Sequence, residues 1–266
     1  MKQLLVALLT LALAACAGMG AKPPAIKEVP VTYKDGATTL KGFIVYDEAR
    51  EGRRPGVLVV HEWWGITPHV RGEARKFAEQ GYTAFVVDMY GDGATADNPK
   101  DAGKLAGSVM KNPAVMESRF NAARAELARH GTVDGSRIGA AGYCFGGAVS
   151  INMVRAGADL VAVATFHASL LVNTPAPKQV KPKLLVMNGA ADPLVKPDQI
   201  EAFKKEMDAA HADYRFINFP GALHAFTNPE ATAVGKKFNM PVAYDAAADK
   251  QAKAEAAKFF ADAFQR

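Results

Sequence analysis

The stretch Arg137-Ile-Gly-Ala-Ala-Gly-Tyr-Cys-Phe-Gly-Gly147 constrains this chain more than any other. Ile138 to Ala141 offers no polar face and reads as a strand covered on both sides. The strand runs into Gly142-Tyr-Cys144-Phe-Gly146, and Gly147 to Arg155 has helical composition. A strand, a sharp glycine-flanked turn and a helix have the form of a nucleophile elbow, here with cysteine at its apex. The glycines are needed because a side chain two residues either side of so sharp a turn would meet the strand or the helix. Cys144 is thereby set at a helix N-terminus, where free N–H groups and the helix dipole favour a thiolate and a developing oxyanion. Taken alone, the pentapeptide is equally compatible with close packing around a buried, inert thiol.

The chain begins with a short basic segment, Met1-Lys-Gln, and an uncharged apolar run from Leu4 to Ala15. That run is too short to span a bilayer and has the form of a signal peptide over residues 1–15. Its end, Leu13-Ala-Ala-Cys16, resembles a bacterial lipobox, which implies lipid attachment at Cys16 and retention in the cell envelope, on the periplasmic side of the outer membrane. Ordinary secretory cleavage after Ala12-Leu-Ala14 is the alternative, leaving a soluble periplasmic or secreted protein. Residues 16–26, with Pro23-Pro24, then read as a flexible tether, and 27–266 as one folded domain. The net charge of +5 is spread along the chain with no Lys/Arg cluster among aromatics, so nucleic-acid binding is not expected. The chain is expected to act as a monomer. There are only two cysteines. A disulfide between Cys16 and Cys144 would join a processed terminus to the elbow, so Cys144 is expected as a lone thiol.

Downstream of the tether, strand and helix signals alternate. Val29 to Tyr33 and Leu40 to Tyr46 alternate apolar and polar residues, as an antiparallel pair turning at Lys34-Asp35-Gly36 should. Gly56 to Val60, Ala84 to Val87, Leu160 to Thr165, Leu184 to Met187 and Tyr214 to Phe219 are the further strands. Helices are expected at Pro68 to Gln80 (closed by Gly81), Pro99 to Met110, Pro113 to His130 and Pro197 to Ala212. A long closing helix, Tyr244 to Phe264, puts Ala248, Ala252, Ala256, Phe259, Phe260 and Ala263 on one face. This is the pattern of an α/β protein with a mostly parallel central sheet and helices on both faces. Chemistry in such sheets gathers beyond the carboxyl ends of the strands.

Two further residues stand at such strand ends. Asp192 follows Leu184 to Met187 in Asn188-Gly-Ala-Ala-Asp192-Pro, and His224 follows Tyr214 to Phe219 in Pro220-Gly-Ala-Leu-His224-Ala-Phe226. Each alone reads as a turn or surface residue. The order nucleophile, acid, histidine, each in the loop after a later strand, is that of the α/β-hydrolase fold. Cys144, His224 and Asp192 then form a catalytic triad: thiolate nucleophile, proton carrier, and the carboxylate that orients the imidazole. The backbone N–H of Phe145 is one oxyanion donor by virtue of the elbow, and that of Trp63, after Gly56 to Val60, is the candidate second. His61-Glu62 begins like a zinc-binding H-E-x-x-H, but Gly65 stands where the second histidine is required, and the segment leaves a strand. No metal and no cofactor are expected.

Gly142-Tyr-Cys-Phe-Gly-Gly147, Asp192, Gly221-x-x-His224-x-Phe226 and Glu62 together resemble the dienelactone hydrolase (carboxymethylenebutenolidase) family, from about Val29 to the C-terminus. The resemblance implies a single-domain α/β-hydrolase that cleaves a small ester or lactone, or a thioester, through an acyl-cysteine. It also implies that Glu62 interacts with the resting thiol and helps generate the thiolate when substrate arrives. The dienelactone-cleaving members bind the substrate carboxylate with two arginines. Here those regions read Met89-Tyr90-Gly91-Asp92 and Ala225-Phe226-Thr227-Asn228, with both arginines missing and Asp92 placed to repel a carboxylate. Trp64, Tyr90, His167 and Phe226 are expected to line the pocket or to pack behind it. Whether Gly91 to Pro113 forms a lid is open. The alternatives are acyl transfer or peptide hydrolysis on the same fold, or a non-catalytic envelope lipoprotein that binds a ligand in the pocket.

Overall fold

A computed structural model describes residues 23–170 and 178–265. The expected signal segment, Cys16 and the tether up to residue 22 lie outside the described residues. In chain order the elements are β1 (Ile26–Asp35), β2 (Thr38–Asp47), β3 (Arg54–Val60), α1 (Pro68–Glu79), β4 (Thr83–Val87), α2 (Pro99–Met110) and α3 (Pro113–Arg129). They continue with β5 (Val133–Tyr143), α4 (Phe145–Arg155), β6 (Ala162–Phe166), β7 (Lys183–Gly189), α5 (Pro197–Ala209), β8 (Tyr214–Phe219), α6 (Ala231–Phe238) and α7 (Ala246–Phe264).

The eight strands form one sheet in the order β1-β2-β4-β3-β5-β6-β7-β8. β1 and β2 pair antiparallel from Ile26↔Asp47 to Asp35↔Thr38, and β2 joins β4 antiparallel. Every other pairing is parallel. The first strand therefore starts one residue inside the stretch expected as tether. The buried strands have no polar face because both faces are covered. In β3, Leu58 and Val60 join a core with α2, α3, α4 and α5, while Val57 and Val59 join a second core with α1 and α7. On α7 the buried face runs through Ala252, Ala256 and Phe260 as expected, but Phe259 is only half-buried and Asp249 is buried.

The helices start where proline and a capping residue direct. Pro99 and Pro113 occupy the first turns of α2 and α3, and the Asn98 and Asn112 side chains accept the N–H groups of Asp101 and Val115. α1 ends at Gln80, with Gly81 beyond it at φ +93°, as its expected capping role requires. α6 was not anticipated. α2 fills most of the segment that was open as a lid, and its last turn forms a wall of the cavity described below.

The chain leaves β3 for β4 on one side and returns to β5 on the other. The loops after β3 and β5 therefore diverge at a topological switch point, where an open crevice must form.

Candidate active site

Cys144 occupies the turn between β5 and α4 at φ +53°, ψ −113°, a conformation that costs about 1–3 kcal/mol for a residue with a side chain. Two glycines allow it. A Cβ on Gly142 would lie 2.3 Å from the Gly146 carbonyl oxygen, and one on Gly146 would lie 2.2 Å from that of Val60. The Cys144 N–H donates to the carbonyl of Phe166 at 3.0 Å, tying the turn to the end of β6. All eleven residues of α4 are buried, and no side chain caps its N-terminus. The N–H of Phe145 opens that helix and has no intrahelical acceptor.

The three expected residues meet. His224 Nε2 is 3.1 Å from Cys144 Sγ, and His224 Nδ1 is 2.7 Å from Asp192 Oδ2. Asp192 also serves its own turn, since Oδ1 accepts the Leu194 N–H at 2.8 Å. The turn residue and the orienting carboxylate are thus the same side chain. Burial pushes the pKa of His224 down, but the negative charge of Cys144, and then the hydrogen bond that Nδ1–H donates to Asp192, outweigh it and raise the value to about 10. The arrangement suits an imidazolium beside a thiolate.

Glu62 is buried, with 2% of its surface exposed, yet lines the same cavity as Cys144. Its Oε2 accepts from Asn228 Nδ2 at 2.8 Å and contacts His69 Nδ1 at 3.2 Å. The structure thus shows Glu62 turned to these two partners while Sγ faces His224. Neither partner was anticipated. His69 lies in the first turn of α1, and Asn228 stands in one of the two regions that lack an arginine. The Glu62–Trp63 loop is braced on two sides. His61 Nδ1 donates to the Glu62 carbonyl at 2.6 Å while its Nε2 takes the Met89 N–H at 3.3 Å, which fixes a neutral tautomer that burial also favours. The Tyr90 hydroxyl donates to the Trp63 carbonyl at 2.9 Å.

The cavity encloses about 460 Å³. Trp63, Trp64, Met110, Leu194, Val234 and Met240 supply much of an apolar wall, and Glu62, Lys111, Cys144, Ser169, His224 and Asn228 are its polar members. Trp64 therefore lines it as expected, packed against Trp63 and Phe238 with ring centroids 4.8 and 6.2 Å away.

Tyr90, His167 and Phe226 stand one layer behind the wall. Tyr90 spends its hydroxyl on Trp63 and lays its ring on His61 and Phe145. His167 is fully buried, bonded through Nε2 to Thr227 Oγ1 at 2.8 Å and packed edge-on to His224 at 5.3 Å. Burial first, then the nearby His224 and His69, hold it well below the ordinary histidine range, so it is neutral. Phe226 is core, against Phe219 and His167. Asp92 is exposed and pairs with Lys41 at 3.7 Å, so its charge is not among those facing the cavity. Among the described residues, no group of three or more histidine, cysteine or acidic side chains is placed to hold a metal ion.

The model of the dienelactone hydrolase family matches residues 40–264. The chain belongs to that family. A protein of Aquifex aeolicus, named provisionally as a carboxymethylenebutenolidase, is 26% identical over 203 residues, covering 74% of this chain and 86% of the relative. A dienelactone hydrolase-like promiscuous phosphotriesterase from metagenomic libraries superposes with a TM-score of 0.84 at 32% identity, over 90% of this chain and 99% of that one. The solved structure named m3DLH gives 0.86 at 33% identity, over the same shares. The chain has the α/β-hydrolase fold of these relatives and is a hydrolase acting on ester or lactone bonds.

Proposed function

We propose that this dienelactone hydrolase-like enzyme cleaves small, uncharged, largely apolar esters and lactones through an acyl-cysteine on Cys144. One observation carries the reading: Sγ, imidazole and carboxylate stand in line at 3.1 and 2.7 Å, at the edge of an apolar cavity of about 460 Å³.

The chemistry follows from the positions. The Cys144 thiolate adds to the carbonyl carbon, and the resulting oxyanion is received by the N–H groups of Phe145 and Trp63. Collapse breaks the bond to the leaving oxygen, which takes the His224 Nε2 proton and departs as an alcohol; a lactone's alcohol stays attached to the acyl group. Water then attacks the thioester while His224, now neutral, removes its proton. The second oxyanion collapses to the carboxylic acid and restores the thiolate beside the imidazolium. Asp192 keeps Nδ1 protonated throughout, so Nε2 is the nitrogen that exchanges protons. A thioester substrate would follow the same path. Thiolate is a better leaving group than an amine, which disfavours amides.

Lys111 is the cavity's one lysine or arginine among the described residues. Among the described residues no guanidinium lines it to clamp a carboxylate, so uncharged substrates are favoured over a carboxylate-bearing dienelactone. The same largely apolar wall favours neutral phosphotriesters as a second substrate class, the class named for the 32%-identical relative.

The test is hydrolysis of p-nitrophenyl esters of graded chain length, simple lactones and a p-nitrophenyl dialkyl phosphate, by the mature enzyme and by Cys144→Ala. The wild type should turn over short and medium neutral esters and form a covalent acyl adduct visible by mass spectrometry. Equal turnover by Cys144→Ala would remove Cys144 as the nucleophile.

A further inference from the structure

His69 approaches the active site from behind Glu62, with its side chain only 7% exposed. Its Nε2 is 3.1 Å from the carbonyl oxygen of Thr227 and its Nδ1 is 3.2 Å from Glu62 Oε2. A carbonyl oxygen only accepts, so Nε2 must carry a hydrogen. A neutral ring would then turn the lone pair of Nδ1 toward carboxylate lone pairs. The contact is a hydrogen bond only if one further proton is shared between Nδ1 and Oε2. Asn228 does not relieve this requirement. Its Oδ1 accepts the Glu230 N–H at 3.0 Å, so the group it turns to Glu62 is its NH₂. Whichever atom holds the shared proton, Glu62 and His69 together are uncharged.

We propose that His69 is a positioning residue that acts through Glu62: the shared proton compensates the carboxylate charge beside the cavity, so the Cys144 thiolate forms next to a neutral pair. This rests on the reading of Cys144 as the nucleophile. Without His69, a bare carboxylate would face the developing thiolate, and like charges resist being held together.

The other groups around His69 favour its proton on balance. Glu73, one turn along α1, lies 3.7 Å from Nε2, and the Tyr143 ring of β5 packs edge-on at 5.6 Å. Lys76 and Lys253 pair with Glu73 at 2.7 and 3.2 Å, and Lys253 also pairs with Asp249 on α7. His167 lies beyond Thr227 and is neutral. Burial and the Lys253 charge pull the His69 pKa down; the hydrogen bond and charge of Glu62, and the charge of Glu73, raise it above its ordinary value of 6.5. The shared proton is therefore held to a higher pH than a free histidine would hold it, and is lost as pH rises through that raised value.

The experiment measures the rate of Cys144 alkylation by iodoacetamide against pH in wild type, His69→Gln, Glu62→Gln and the double variant. His69→Gln should slow alkylation near neutral pH by about tenfold and move the profile about one unit upward. In the Glu62→Gln background the same substitution should change the rate by less than about twofold, because no charge is left to compensate. An equal loss in both backgrounds, or no loss in either, would overturn the proposal. Should His69→Gln fail to fold, imidazole NMR of wild type and Glu62→Gln decides. The His69 titration must fall when Glu62 loses its charge, and an unchanged midpoint would overturn the pairing. Neither measurement needs turnover, so failure here is distinct from failure of the hydrolase mechanism, which shows as turnover by Cys144→Ala.

Discussion

Gly146→Ala tests whether the elbow and the loop after β3 form one assembly. The added Cβ would lie 2.2 Å from the Val60 carbonyl oxygen, 2.5 Å from the Val60 carbonyl carbon and 2.7 Å from the His61 oxygen. Ordinary contact begins at 3.4 Å, and all three neighbours are backbone, so no side chain can swing aside. Either α4 recedes with Cys144 and Phe145, or the end of β3 recedes with Glu62 and Trp63. Each movement separates Phe145 from Trp63 by about 1 Å, a misplacement able to cost on the order of 100-fold in rate. Overpacking of this kind costs about 1–3 kcal/mol of stability, or roughly 2–12 °C in Tm for a domain of this size. The assay is kcat and KM on the best p-nitrophenyl ester beside a thermal melt, with Gly103→Ala as control. A Cβ on Gly103, an exposed position within α2, meets nothing within 4 Å. That variant should gain about 0.5–1 kcal/mol and keep its kcat. If Gly146→Ala kept both its melt and its kcat, or Gly103→Ala lost as much, the packing argument would be refuted.

Two further outcomes follow from the same geometry. The Cys144 charge is the largest of the interactions that hold the His224 proton to about 10, so the His224 imidazole should titrate below that value in Cys144→Ala. An NMR midpoint unmoved by the substitution would sink the ion-pair account. The sign is fixed: the imidazolium persists as pH rises through the ordinary 6.5 and is lost as pH passes about 10. Tyr90→Phe removes the hydrogen bond to the Trp63 carbonyl and should cost about 0.5–1.5 kcal/mol of stability. It should also lower kcat several-fold with KM little changed; a raised KM with unchanged kcat would instead make Tyr90 a substrate-binding residue.

What could be read from the sequence, and what could not, divides along a physical line. Strands such as Val57 to Val60 are legible because burial on both faces leaves no polar residue in them. Cys144, Asp192 and His224 are legible because the sheet delivers the residue after each strand to one edge, and chain order then does the work of coordinates. His69 and Asn228 carry no such mark. One is a polar residue in a helix's first turn and the other a loop amide, and only the fold places both within reach of Glu62. Tyr90, His167 and Phe226 show the converse. Their positions after strands were informative, but the sequence does not say whether a side chain turns into the cavity or into the layer behind it. The unanticipated α6 has the same cause. It is eight residues long with a glycine inside, so its own propensity is weak. Its backbone is held against the following segment at Gly235, where a Cβ would lie 2.4 Å from the Val242 carbonyl oxygen. Ala231 and Val234 on this helix, with Met240 and Val242 just beyond, close one side of the cavity. The proposed reacting groups thus stand at strand ends that local pattern reveals. The cavity wall, and the Glu62–His69 contact behind it, exist only once distant segments have packed.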